Sequence, residues 1–141
     1  MSKSGPIVIV DDNKKEWLLY REALHHIRIK NELKFFENGE PALDYLKETK
    51  DSPFLIICDM RMQVLSGLEF RKKISEDPYL VLKATPFVFR TNTVTTDEIV
   101  KAYELTVQGF FAKSDDFEEM SKQLKIIVDY WKESYDPNTR F

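Results

Sequence analysis

The chain has 141 residues, of which 43% are hydrophobic and 32% charged, a balance typical of a soluble globular domain. Its net charge of −3, with basic residues scattered among acidic ones, argues against a nucleic-acid partner, because phosphate backbones are bound by clustered lysine and arginine. No apolar stretch approaches the roughly 18 residues of a membrane span, and the lone Cys58 excludes an internal disulfide, so we expect a cytoplasmic protein with no membrane partner.

In chain order, apolar runs alternate with helical patterns. Five runs have the length and composition of strands and lie at residues 7–10, 33–36, 54–58, 87–89 and 108–112. Each is followed by a helix start, in most cases a capping residue with a glutamate three positions on, at Asn13, Asn38, Ser66, Thr95 and Asp115. In the connector at residues 76–85, Asp77-Pro78 is expected to open one short helical turn. The last helix carries apolar side chains spaced by three and four, from Phe117 to Trp131.

This alternation predicts an α/β protein of (βα)5 order. Its five parallel strands would form a doubly wound sheet with helices on both faces, joined by right-handed crossovers. We expect one domain over residues 1–141, with its core at about 6–133 and a frayed tail at 136–141.

Polar side chains stand where four of the predicted strands end. Asp11 and Asp12 follow the first strand, Asp59 follows the third, Thr91 comes shortly after the fourth, and Lys113 follows the fifth. Because the carboxyl ends of neighbouring parallel strands share one rim of the sheet, we expect these five side chains to converge on one crevice.

Together, the five side chains indicate a chemistry that none of them indicates alone. Taken alone, an aspartate after a strand usually begins a turn, and a lone lysine is usually a solvated surface charge. Three carboxylates held together, however, repel one another until a hard cation such as Mg²⁺ neutralises them. A carboxylate can also act as the nucleophile in phosphoryl transfer, which needs a cation such as Lys113 and donors such as Thr91 around the phosphoryl oxygens.

The set resembles the receiver domain of the two-component response-regulator family, of the single-domain type found in chemotaxis regulators. The resemblance rests on Asp11-Asp12, on the segment from Asp59 to Gly67, on Thr91-Asn92 and on Lys113. In the family pattern a methionine follows the phosphoacceptor aspartate by three residues and a glycine by eight, as Met62 and Gly67 do here. The resemblance implies a flavodoxin-like sheet with the strand order 2-1-3-4-5.

The resemblance also implies a role for each site residue. Asp59 would take phosphate from a sensor histidine kinase or a phosphotransfer protein. Asp12 would bind Mg²⁺ directly, Asp11 directly or through water, and the backbone carbonyl of Arg61 would be a further ligand. A domain of this kind is a signalling module that modifies itself, with slow loss of its phosphate, rather than an enzyme acting on a small substrate.

Three further residues would carry the signal. Thr91 and Lys113 would contact the phosphoryl oxygens, and Phe110 takes the place of the aromatic side chain that turns inward as Thr91 moves. The signal would then leave through contact with a downstream protein whose identity the sequence does not give. Regulators of this kind often form homodimers, and the oligomeric state stays open. Three stretches further resemble stand-alone regulators that include partners of bacterial phytochrome-type kinases: residues 77–86, Ala102-Tyr103-Glu104-Leu105 and Tyr130-Trp131.

Two departures from the family pattern keep other functions open. Gln63 and Ser114 stand where the family usually has proline, so the Lys113–Ser114 bond is expected to be either trans with a shifted loop or cis and held by surrounding contacts. One alternative is a binding module that keeps the fold without using phosphate. The other is a small Mg²⁺-dependent phosphatase, although no glycine-rich phosphate loop is present.

Overall fold

The computed structural model describes residues 1–139, so Arg140 and Phe141 of the expected tail lie outside the described residues. The strands are β1 Ile7–Val10, β2 Leu33–Phe36, β3 Leu55–Cys58, β4 Phe87–Thr91 and β5 Gly109–Ala112. The helices are α1 Lys14–His26, α2 Gly39–Glu48, α3 Gly67–Ser75, α4 Pro78–Lys83, α5 Thr96–Glu104 and α6 Phe117–Glu133. All strand pairs are parallel and the sheet order is β2-β1-β3-β4-β5, which confirms the predicted topology.

The register of the sheet brings the ends of its strands level with one another. Val10, the last residue of β1, is paired with Phe36 at the end of β2 and with Cys58 at the end of β3. Thr91, the last residue of β4, is paired with Ala112 at the end of β5. The residues that follow β1, β3 and β5 therefore lie along the same edge as Thr91.

Two apolar cores cover the two faces of the sheet. β1 and β3 are buried on both faces, as expected for central parallel strands. One core packs α2, α3, α4 and α5 against residues such as Val8, Ile56 and Phe89. The other packs α1 and α6 against Ile7, Ile9, Ile57 and Val88. Within residues 1–139, no helix has both the length and the apolar character needed to cross a bilayer.

The structure corrects several predicted boundaries. β3 and β5 each begin one residue later than predicted, at Leu55 and Gly109. β4 continues through Arg90 to Thr91, two residues beyond its predicted end, and both of these polar residues are buried. The predicted turn at Asp77-Pro78 is a six-residue helix, with Asp77 as its N-cap and proline at its first position. The N-cap of α6 is Asp116 and not Asp115, because Asp116 has extended backbone angles and its carboxylate accepts from the Glu118 amide.

Candidate functional site

Two buried aspartates stand side by side at the carboxyl edge of the sheet. Backbone hydrogen bonding to the end of β1 fixes the position of Asp59. Its N–H donates at 2.9 Å to the carbonyl of Val10, the residue before Asp11. Asp11 is 1% exposed; its Oδ1 accepts from the Asn13 amide at 2.9 Å. The indole of Trp17 donates to the Asp11 backbone carbonyl at 2.8 Å and fixes the start of α1 against the site.

Asp12 is exposed to solvent and completes a cluster of three carboxylates with Asp11 and Asp59. One oxygen from each of the three lies within 4.8 Å of the other two. Lys113, on the loop after β5, reaches into this cluster. Its Nζ donates to Asp11 Oδ2 at 2.7 Å and to Asp59 Oδ2 at 3.3 Å, and its side chain is only 6% exposed.

The other oxygen of Asp59 has its own donors. Thr91, at the end of β4, donates its hydroxyl to Asp59 Oδ1 at 2.7 Å. The backbone N–H of Arg61 donates to the same oxygen at 3.3 Å. The hydroxyl of Thr91 and the ammonium of Lys113 thus contact opposite oxygens of one carboxylate.

The charges of the site are not fully balanced. Burial is the largest influence on Asp11 and raises the pKa of its carboxyl above the ordinary 3.8, although hydrogen bonds from Lys113 and the Asn13 amide act in the opposite direction. Burial alone would lower the pKa of Lys113, but the hydrogen bond to Asp11 and the charges of Asp11 and Asp59 hold it above 10.5. One ammonium therefore leaves an excess of negative charge among three carboxylates.

The donor set fits a hard divalent cation. The ligand atoms available are carboxylate oxygens, which Mg²⁺ prefers, and the exposure of Asp12 leaves room for the water molecules that Mg²⁺ usually keeps. Asp11, Asp12 and Asp59 are the side chains that would hold the ion.

The remaining two predicted site residues lie at the borders of the cluster. The side chain of Arg61 points away from the carboxylates and donates to Glu98 Oε1 at 2.6 Å. Phe110, on β5, is half-buried and its ring centroid lies 5.4 Å from that of Phe89 on β4. The roles expected of the Arg61 carbonyl and of Phe110 stay predictions.

Comparison with known proteins identifies the family. The sequence profile of the response regulator receiver domain matches residues 7–125. The chain belongs to the response regulator receiver domain family. The receiver is 29% identical to the response regulator Rcp1 of Synechocystis sp. over 133 residues, which cover 91% of this chain and 89% of Rcp1. It is 26% identical over 129 residues to the probable methanogenesis regulatory protein FilR2 of Methanothrix harundinacea, covering 89% of this chain and 82% of FilR2.

Solved structures agree with this assignment. The phosphorylated cyanobacterial phytochrome response regulator RcpA matches this receiver with a TM-score of 0.82 at 28% identity, over 94% of this chain and 98% of that one. The Mn²⁺-bound form of Rcp1 matches with a TM-score of 0.78 at 27% identity, over 92% and 96%. The predicted resemblance to phytochrome-associated regulators is thereby confirmed. Receivers are signalling modules that bind divalent metal at the aspartate cluster and act with histidine kinases and downstream targets.

The two departures from the family pattern are accommodated locally. Every peptide bond in residues 1–139 is trans, so of the two predicted forms of the Lys113–Ser114 bond the structure has the trans one; the shift of the loop stays a prediction. The Ser114 hydroxyl donates to Glu119 at 2.8 Å and accepts from the Asp116 amide at 3.1 Å, which ties the loop to the start of α6. In the loop that contains Gln63, Val64 takes a positive φ of 67°.

Sequence reasoning missed two residues that touch the site. Glu98 was identified as a capping residue of α5, and the structure confirms that capping box, but Glu98 also accepts from Arg61. Trp17 on α1 donates its indole N–H to the backbone carbonyl of Asp11, a contact that its place in the sequence does not indicate. Arg61 and Glu98 are 37 residues apart in the chain, and no local pattern connects them.

Proposed function

We propose that this receiver accepts a phosphoryl group on Asp59 from the phosphohistidine of a sensor histidine kinase or phosphotransfer protein, with Mg²⁺ bound at the aspartate cluster. The observation that supports this best is the surrounding of Asp59: the Thr91 hydroxyl lies 2.7 Å from one oxygen and the Lys113 ammonium 3.3 Å from the other. Phosphoryl transfer asks a protein mainly for positioning and for neutralisation of charge, and both groups supply these.

The chemical step is a transfer between a nitrogen and an oxygen. An oxygen of Asp59 forms a bond to phosphorus as the bond from phosphorus to the imidazole nitrogen breaks, and the imidazole leaves with the electron pair and takes up a proton. Asp11, Asp12, Asp59 and the Arg61 carbonyl would hold Mg²⁺, which would neutralise charge on the phosphoryl oxygens. Lys113 contributes a fixed positive charge beside the reacting carboxylate.

The product changes the charge balance and starts the signal. By analogy with other phosphorylated side chains, the group adds roughly two negative charges at neutral pH. Thr91 and Lys113 then turn to the phosphoryl oxygens, and Phe110 repacks against the space that Thr91 leaves. The readout surface is formed by α5, β5 and α6, where Val100, Tyr103, Ile126 and Tyr130 are exposed.

In this proposal the receiver acts as a stand-alone cytoplasmic module that passes its signal to a downstream protein. Loss of phosphate by slow attack of water returns it to the state described here. The alternative retained from the sequence, a binding module indifferent to phosphate, differs in one respect. Its partner affinity would not change with Mg²⁺ or with replacement of Asp59.

Incubation with phosphoramidate and Mg²⁺, followed by intact-protein mass spectrometry, tests the proposal. We expect a mass gain of one phosphoryl group in the wild type, none in Asp59→Asn, and none when a chelator removes the metal. Asp44→Asn is the matched control, because Asp44 is an exposed aspartate on α2. A wild type that gains no mass, or an Asp59→Asn variant that gains as much as the wild type, would refute the proposal.

A further inference from the structure

An arginine is fully buried next to the site. Arg90 is the penultimate residue of β4, directly before Thr91, and it is 0% exposed. Side chains alternate along a strand, so Arg90 shares the α1 and α6 face of the sheet with Val88, whereas Thr91 faces the other way toward Asp59. The buried core on that face is a cluster of hydrophobic side chains, and burying a guanidinium beside it is costly unless the charge is paired.

The partners of Arg90 come from both helices on that face. Its Nε donates to Gln123 Oε1 on α6 at 2.6 Å, and its Nη1 donates to the Tyr20 hydroxyl on α1 at 3.2 Å. Nη1 also lies 3.6 Å from Glu16 Oε2. Burial raises the pKa of Tyr20 to about 12, so the phenol keeps its proton and supplies no negative charge.

The compensation of Arg90 is incomplete. Nη2 is buried and has no hydrogen-bond partner among the described residues. The Glu16 contact is longer than a hydrogen bond. A methionine of similar length would fill this space without desolvating a charge, so stability alone does not account for an arginine here.

Gln123 links Arg90 on β4 to the neighbouring strand β5, which ends just before Lys113. While its Oε1 accepts from Arg90, its Nε2 donates to the backbone carbonyl of Ala112 at 2.9 Å. Ala112 is the residue before Lys113, as Arg90 is the residue before Thr91. These two strand ends are themselves joined, since the Lys113 N–H donates to the Thr91 carbonyl at 2.9 Å.

We infer that Arg90 and Gln123 are positioning residues. On the α1 and α6 face of the sheet they connect the carboxyl ends of β4 and β5, and they thereby fix Thr91 and Lys113 around Asp59. Neither residue touches the reacting atoms. The inference rests on the proposed phosphorylation of Asp59 for its functional meaning, but the geometry it describes can be measured without phosphate.

Three variants isolate the contact. Arg90→Met and Gln123→Met each remove the hydrogen bond between the two side chains, and the double variant tests whether they act through it. Gln123 is only half-buried on α6, so its variant keeps the inference testable if Arg90→Met fails to fold. Arg71→Met is the matched control, because Arg71 is a buried arginine that bonds to Leu105 and Thr106 near the amino end of β5.

Hydrogen exchange of the Lys113 amide measures the geometry directly. We expect about tenfold faster exchange in Arg90→Met and Gln123→Met, the factor that follows from losing one hydrogen bond to a charged group. Exchange in the double variant should be no faster than in the faster-exchanging of the two single variants, because each single variant has already lost the hydrogen bond between Arg90 and Gln123. Exchange at Val10 and Cys58, in the central strands, should not change. Unchanged exchange at Lys113, or additive effects in the double variant, would overturn the inference.

The rate of phosphorylation by phosphoramidate measures the functional consequence. In the two single variants we expect the maximal rate constant to fall between about tenfold and hundredfold, the range produced by misplacing reacting groups, with the half-saturating phosphoramidate concentration unchanged. The Mg²⁺ affinity of these variants, followed through Trp17 fluorescence, should equal that of the wild type. The control Arg71→Met should match the wild type in the exchange rate at Lys113, in the phosphorylation rate and in Mg²⁺ affinity. Faster exchange of the Lys113 amide with an unchanged phosphorylation rate would refute the claim that this positioning matters for phosphorylation. If the wild type itself took no phosphate, the proposed function would fail while the exchange result still decided the positioning.

Discussion

Replacing Lys113 with methionine perturbs the charge balance of the site with little change in side-chain length. The Lys113 side chain is 6% exposed, and its ammonium lies 2.7 Å from Asp11 Oδ2 and 3.3 Å from Asp59 Oδ2. Without it, no lysine or arginine among residues 1–139 forms an ion pair with the three carboxylates.

The size of the effect follows from these distances. Removing one partner of a buried ion pair costs about 3–5 kcal/mol, and we expect about 3 kcal/mol because Asp12 is exposed and water screens part of the repulsion. Two carboxylate charges that lie within 4.8 Å of each other repel by at least about 3 kcal/mol at an effective dielectric constant of about 20. Mg²⁺ relieves the same repulsion. After discounting half for screening, we expect Lys113→Met to bind Mg²⁺ about tenfold more tightly than the wild type.

Urea unfolding in Mg²⁺ and in chelator, with Mg²⁺ titrated through Trp17 fluorescence, measures both quantities. The loss of unfolding free energy should be largest in chelator and smaller in Mg²⁺. Lys125→Met is the matched control: Lys125 pairs with Asp129 at 2.6 Å on the exposed surface, so its loss should cost less than about 1 kcal/mol. An equal loss with and without Mg²⁺, or weaker Mg²⁺ binding in Lys113→Met, would refute the electrostatic reasoning.

Three further predictions concern the loops around the site. Gly67→Ala should destabilise the protein by about 1–3 kcal/mol and slow phosphorylation, because the new Cβ would lie 2.7 Å from the Asp59 carbonyl oxygen and 2.7 Å from the Phe89 ring. Urea unfolding measures the loss of stability, and phosphoramidate kinetics measure the rate. Thr95→Ala should lower the unfolding free energy by about 1 kcal/mol, since the capping hydrogen bond to the Glu98 amide is lost. The Thr95 amide lowers the pKa of Glu98 below 4.5, so ionised Glu98 stabilises the fold above pH 4.5 and that contribution disappears as the pH falls through the lowered value. A Glu98→Gln variant whose thermal midpoint keeps the wild-type acid dependence would contradict this.

The sheet and the convergence of the site were predictable from sequence for a shared physical reason. Apolar runs such as 7–10 and 54–58 are long enough only for buried strands, and parallel strands joined by helices end at one edge. Asp11, Asp59 and Lys113 therefore meet although they are far apart in the chain. The capping boxes at Ser66 and Thr95 were equally readable, because both partners lie within one turn of helix.

The remaining features depend on tertiary contacts that no local pattern encodes. β4 was predicted too short because a charged residue, Arg90, normally ends a buried strand, and only the partners from α1 and α6 make its burial tolerable. The one signal in the sequence for a longer β4 was that Arg90 and Val88 would face the same side of a continuing strand. Asp115 and Asp116 satisfy the same capping rule, and only the backbone angles and the hydrogen bond from the Glu118 amide to Asp116 decide between them. Likewise, the sequence does not reveal that Asp11 is buried while Asp12 is exposed.

Chemical mapping of the phosphorylated residue tests the central claim most directly. Borohydride reduces an acyl phosphate to an alcohol, so peptide sequencing by mass spectrometry after phosphoramidate treatment marks the acceptor as homoserine. We expect homoserine at position 59 alone, with Asp11 and Asp12 intact. Homoserine at either neighbouring aspartate, or none anywhere in a protein that binds Mg²⁺, would contradict it.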